Sequence, residues 1–210
     1  MLLILGIDIG IVNLACAEAV VTDDFEDLKI RQVNLVNLMK LEHNRVPLAE
    51  CPLFHTGMAV DRVAHLVQER QALFDAAHTI VVERQPPGGL RDVEQVLVSL
   101  FRHKAVVMAP QTMHAFIGSS CSPYSIRKQL AIAFAETFVP SLTTLFPVKA
   151  DDAADAVCLA CTFVHKMRTV RRKAAGRARA DAVATKQGLC LADYVYTGKM
   201  GGGKKKPLPV

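Results

Sequence analysis

Residues 2–8 form an apolar run that ends in Asp8, the pattern of a buried strand. Gly10 permits a tight turn, and Asn13 to Val21 returns as a second apolar segment rich in β-branched residues. Acidic residues from Asp23 to Asp27 make the next turn, and Lys29 to Leu38 reads as a third strand. Such short connections predict an antiparallel meander. Residues 42–57, with Pro47, Pro52 and Gly57, read as loop. The period then changes. Val60, Val63, Ala64, Val67, Ala72 and Phe74 place an apolar stripe on one helix over Met58 to Ala77. Thr79 to Glu83 is a further buried strand, stopped by Pro86-Pro87-Gly88-Gly89. Leu90 to His103 reads as helix, Ala105 to Ala109 as strand and Tyr124 to Phe138 as helix. Ala153 to about Ala175 forms a long Ala-rich helix whose far half turns basic. Three antiparallel strands followed by alternating helices and strands predict an α/β fold with a mixed five-stranded sheet and helices on both faces.

Length and composition narrow the class. At 210 residues and 51% hydrophobic, the chain is expected to be one compact domain with a tail, not a disordered polymer. No apolar run reaches the roughly 18 residues of a membrane span. The N-terminus lacks a basic region and a cleavage motif, and reads as a strand, not a signal peptide. Six irregularly spaced cysteines suit a reducing compartment, so the expected location is intracellular or intravirion. Charge is uneven: residues 161–210 carry twelve basic and two acidic side chains, against thirteen and eighteen in residues 1–160. That asymmetry suits a polyanionic partner or a solvated tail. With no Trp and three Tyr, contacts to nucleic acid would go to phosphates before bases.

The chemistry is expected in the carboxylates. Asp8 closes the first strand and is followed by a glycine turn, while Glu83 ends the run Ile80-Val81-Val82. A charge closing a buried strand requires solvent, a partner or a metal. For Glu83 the alternative is a pair with Arg84 or Arg91. Asp152 and Asp155 share a helix face three residues apart, although with Asp151 they could simply complement a helix N-terminus. A mixed sheet would gather these four acids, and such a cluster repels itself unless divalent cations neutralise it. Hard oxygen donors select Mg²⁺ or Mn²⁺.

The segments GIDIGIVNLA (6–15), IVVERQ (80–85) and DDAADAVCLA (151–160) resemble the three acidic motifs of the RNase H-like Holliday-junction resolvases. The ERQ triplet and the doubled Asp look most like the poxvirus and fungal mitochondrial branch, which favours a viral source. The resemblance covers residue 2 to about 165. It implies an RNase H-like fold and two Mg²⁺ ions, with Mn²⁺ able to substitute, on Asp8, Glu83, Asp152 and Asp155. Asp151 would stand behind these ligands. It further implies a homodimer that nicks two opposed strands of a four-way junction symmetrically and leaves 5′-phosphates. A basic residue near the scissile phosphate is expected at the start of the helix after the fifth strand; Lys128 fits best and Arg127 next.

Other signals are weaker. Arg168, Arg171, Arg172 and Lys173, with Arg177 and Arg179, extend the helix of Asp155 and could grip DNA arms, or form a solvated face. Residues 1–180 are expected to be the resolvase domain and 181–210 a basic, flexible extension. GKMGGGKK (198–205) lacks the Ser/Thr and the strand–loop–helix context of a phosphate loop. Lys204-Lys205-Lys206-Pro207 reads better as a basic arm or targeting patch. Cys158, Cys161 and His165 read as core before metal site. The GIDIG segment is shared with sugar kinases, chaperone ATPases and pantothenate kinases, so an ATP-dependent phosphotransferase is the alternative, and a non-catalytic DNA-binding protein a third. Neither a nucleotide cofactor nor a membrane is expected.

Overall fold

The computed structural model describes residues 1–38 and 58–186, with side chains described to residue 179. The predicted loop (42–57), the phosphate-loop-like segment, the tri-lysine patch and the tail from Gly198 lie outside the described residues. Strands β1 (Leu2–Ile9), β2 (Asn13–Val21) and β3 (Leu28–Asn37) are followed by α1 (Ala59–Glu69), α2 (Gln71–Ala76) and β4 (Thr79–Glu83). Then come α3 (Arg91–Leu100), β5 (Ala105–Met108), α4 (Pro110–Phe116), α5 (Tyr124–Glu136), α6 (Leu142–Leu145) and α7 (Ala150–Lys186). The chain divides into two units, Met1–Arg168 and one beginning at Thr169.

One five-stranded sheet, ordered β3-β2-β1-β4-β5, organises the first unit. β1 pairs antiparallel with β2, and β2 with β3, whereas β1–β4 and β4–β5 are parallel. β1 and β4 are apolar almost throughout because both faces of the sheet are covered. On one face Leu5, Ile7, Ile80 and Val82 pack with Val63, Leu66, Val93 and Leu97 of α1 and α3. On the other, Ile4, Ala17 and Val81 pack with Ala131 and Ala135 of α5 and the Ala-rich start of α7.

Gly6 sets how close α7 comes. A Cβ there would clash with the Ala156 carbonyl oxygen and lie 3.0 Å from the Ala160 amide nitrogen. The strand backbone therefore lies directly against the helix backbone, a distance only glycine on one side and alanines on the other permit. Asp8 points to the same sheet face as Gly6. It consequently meets the helix one turn earlier, where Asp152 and Asp155 stand.

Three elements differ from their predicted form. The single helix expected over Met58–Ala77 breaks at Arg70 (φ −111°, ψ 25°), and beyond the break Phe74 stacks on Phe101 with ring centroids 5.0 Å apart. α4 was not expected. Pro110 begins it, at a position that needs no amide hydrogen, and it buries Met113. α6 is a single turn that buries Leu142.

Candidate active site

The parallel register Ile7↔Val82 carries β1 and β4 forward together, so Asp8 and Glu83 emerge side by side at the carboxyl ends of adjacent strands. α7 brings Asp152 and Asp155 over them. All four carboxylates line one cavity of about 670 Å³, together with Lys128. The pairs Glu83–Arg84 and Glu83–Arg91, the alternative expected for this acid, are absent among the described residues. Gln85 instead donates from Nε2 to Glu83 Oε2 at 3.0 Å, while its own backbone N–H donates to Glu94 Oε2 at 2.6 Å. Gln85 is buried, so it holds the Glu83 carboxylate from behind. Asn13, at the start of β2, donates from Nδ2 to Asp152 Oδ2 at 3.3 Å, and Lys149 Nζ lies 3.8 Å from the same oxygen.

The electrostatics follow from this crowding. Burial pushes the Asp8 carboxyl well above its ordinary range, and Glu83, Asp155 and Asp152 push it further. Glu83 is also raised by burial, against the hydrogen bonds from Asp8 and Gln85 that favour its charged form. Burial, then the charges of Glu83 and Asp151, raise Asp155 to about 7. Standing at the ends of adjacent strands and both raised by burial, Asp8 and Glu83 favour keeping a proton at neutral pH more than free carboxyls do.

Lys128, on α5, is paired with Asp151. Burial alone would lower the Lys128 ammonium, but Asp151 and Tyr124 outweigh it and hold the group above its usual value. Burial would likewise raise Asp151, yet the hydrogen bond from Lys128 keeps it below the ordinary carboxylate range. Asp151 thus orients Lys128 at the cavity wall, apart from the other acids.

Among the described residues, no group of three or more His, Cys, Asp or Glu side chains is positioned to hold a metal ion. In the cavity Asp152 is held by Asn13 and Lys149. The donor chemistry nevertheless fits a hard divalent cation: four carboxylates with no sulfur or imidazole among them, whose mutual repulsion a cation would relieve. Cys158 and Cys161 lie in the core, and His165 packs against the Phe116 ring at 4.8 Å.

The basic residues of α7 fall into two groups. Arg168 donates from Nε to the Phe25 carbonyl at 2.8 Å and from Nη2 to the Glu26 carbonyl at 2.6 Å, and its Nε lies 3.3 Å from the Glu26 carboxylate. Its guanidinium thus clasps the β2–β3 turn. Arg171, Arg172 and Lys173, in the second unit, have exposed side chains.

Sequence reasoning overlooked Asn13, Gln85 and Lys149. Of these, Gln85 and Asn13 lay within quoted motifs, the ERQ triplet and GIDIGIVNLA, and Lys149 had no signal.

No protein-family model and no curated protein matches this chain. Solved structures do. A fowlpox virus resolvase, solved in complex with substrate Holliday junction DNA, superimposes with a TM-score of 0.55 at 16% identity, over 79% of this chain and 99% of that one. The yeast mitochondrial Holliday junction resolvase Ydc2 gives 0.57 at 19% identity, over 80% and 82%. RuvC of Thermus thermophilus gives 0.50 at 16%, over 81% and 96%. At these identities the likeness is one of architecture: the chain has the RNase H-like fold, with its mixed sheet and helices on both faces.

Proposed function

We propose that this chain is a divalent-cation-dependent, structure-selective DNA endonuclease that resolves Holliday junctions by paired symmetric nicks leaving 5′-phosphates. The observation that carries the reading is the convergence of Asp8, Glu83, Asp152 and Asp155, from three separate stretches of chain, in one cavity beside Lys128. Asp8, Glu83, Asp152 and Asp155 would hold two Mg²⁺ ions, or Mn²⁺ in their place, which when bound supply charge neutralisation and a more acidic water for phosphodiester hydrolysis. Gln85 fixes the Glu83 carboxylate and Asn13 that of Asp152. Asp151 holds the Lys128 ammonium where it can offset charge developing on the phosphate. The described residues hold one such carboxylate cavity, so two simultaneous opposed nicks would call for two copies, in keeping with a homodimer. Arg171, Arg172 and Lys173 would meet DNA phosphates. The ERQ triplet and doubled Asp point toward the poxvirus and fungal mitochondrial branch, and to action inside cells or viral factories.

The test is a synthetic four-way junction incubated with the protein and Mg²⁺. The expected products are nicked duplexes that ligase seals. Asp152→Asn is expected to lower cutting by at least about 10²-fold while junction binding persists, since loss of one positioned charge-stabilising group has that order of effect. ATP hydrolysis without DNA cleavage would instead support the phosphotransferase, and binding without cleavage in any divalent metal a non-catalytic protein.

A further inference from the structure

The cavity lining is not only acidic. Arg84, just after β4, Arg91, at the start of α3, and Arg127, on α5, line it together with the four carboxylates. Three guanidinium groups beside four acids would ordinarily be consumed in ion pairs. Among the described residues none of the three is paired with an acid, whereas neighbouring Lys128 is taken up by Asp151. Arg127 stands out further. Its Nε is buried and has no hydrogen-bond partner, a state that costs free energy and persists only where some other gain compensates. The Tyr124 ring lies 5.8 Å from the Arg127 guanidinium carbon, and the Arg127 charge is felt by His114, another residue of the cavity lining. The loop between Arg84 and Arg91 is held in shape by hydrogen bonds from the Gly89 N–H to the Pro86 carbonyl and from the Gln85 N–H to Glu94.

A planar fork with an unmatched buried donor, opposite acids it does not pair with, is complementary to a tetrahedral anion. We propose that Arg84, Arg91 and Arg127 form a phosphate-binding wall that holds a nucleic-acid strand by successive backbone phosphates as it enters the carboxylate cavity, with Arg127 as its inner contact. The proposal rests on the nuclease reading and deepens it by naming what grips the strand at the site itself.

The experiment measures the affinity of the full chain for a synthetic four-way junction in EDTA, where no cutting occurs, as a function of salt concentration. Wild type, Arg127→Gln, Arg127→Lys, the double variant Arg84→Gln/Arg91→Gln and a control, Arg102→Gln at an exposed position outside the cavity, are compared. Each guanidinium that meets a phosphate adds about one to the slope of log Kd against log salt. The expected result is a slope lower by about one in Arg127→Gln and by about two in the double variant, and unchanged in Arg127→Lys and Arg102→Gln. Arg127→Lys keeps the charge but is expected to bind several-fold more weakly, having lost the fork. Slopes equal to wild type in Arg127→Gln and the double variant overturn the wall, as does an equal fall in Arg102→Gln. If the wild type still cuts junctions with Mg²⁺ in that case, the nuclease reading stands without it. Absence of any junction binding by the wild type overturns both.

Discussion

At the scale of single residues, the cavity's own repulsion is the quantity to measure. Asp155, raised to about 7 by burial and by Glu83 and Asp151, ionises near 3.8 when the chain unfolds. An acid whose folded value is the higher one stabilises the fold below its unfolded value, and that stability is lost as pH rises through the folded value. Asp8 and Glu83 act in the same direction. Asp151, held low by Lys128, acts oppositely, but its window lies below about pH 4. In EDTA the melting temperature is therefore expected to fall between pH 5 and pH 8. Millimolar Mg²⁺ is expected to restore several degrees at pH 8 and little at pH 5, where protons already neutralise the cluster. A melting temperature flat across this range, or indifferent to Mg²⁺ at pH 8, would remove the electrostatic basis for a metal site. Asp8 and Glu83 stood out in the chain because each closes an apolar run, six residues of strand before Asp8 and Ile80-Val81-Val82 before Glu83, and Asp152 and Asp155 by their three-residue spacing. The contacts of Asn13 and Gln85 were not legible, although both lie within the acidic motifs. An amide interrupts no pattern, and its role exists only once the fold has set a carboxylate opposite it.

At the scale of elements, the site depends on how deeply α7 sits on β1. Gly6 is the position that governs this, since a methyl group there meets the Ala156 carbonyl oxygen. Gly6→Ala is expected to destabilise by about 1–3 kcal/mol, the range for overpacking a close contact. It is also expected to lower Mg²⁺-dependent activity by displacing Asp152 and Asp155 relative to Asp8. Thermal melts and the junction assay on one preparation check both. A neutral effect on both would mean that helix and strand can part without loss. The three-stranded meander was readable from apolar runs separated by a glycine turn and an acidic turn. The break at Arg70 was not, because the apolar spacing continues across it and only the stacking of Phe74 on Phe101 shows why the second segment is turned. α4 escaped notice for a related reason: seven residues are too few to establish a helical period.

At the scale of the whole molecule, charge is partitioned along the chain. Residues 198–210 contain four lysines and no acid. If that arm contributes to DNA binding, a chain ending at residue 197 should bind junctions more weakly, with a salt slope lower by up to about four, and retain its cutting rate at saturating protein. An unchanged slope would make the arm a bystander. Arg168 carries a different lesson. It was expected to serve DNA with its basic neighbours, and nothing in a run of arginines marks the one whose guanidinium reaches the carbonyls of Phe25 and Glu26. That contact steadies a turn in which Phe25 is buried at φ +65°, a conformation that side chains other than glycine's adopt only under constraint. A clasp between positions 25 and 168 also fastens the last residue of the first unit to its β2–β3 turn. Trimming experiments should accordingly find a sharp frontier there: fragments that keep Arg168 remain protease-resistant, and those cut a few residues short fray at a hairpin more than a hundred positions away.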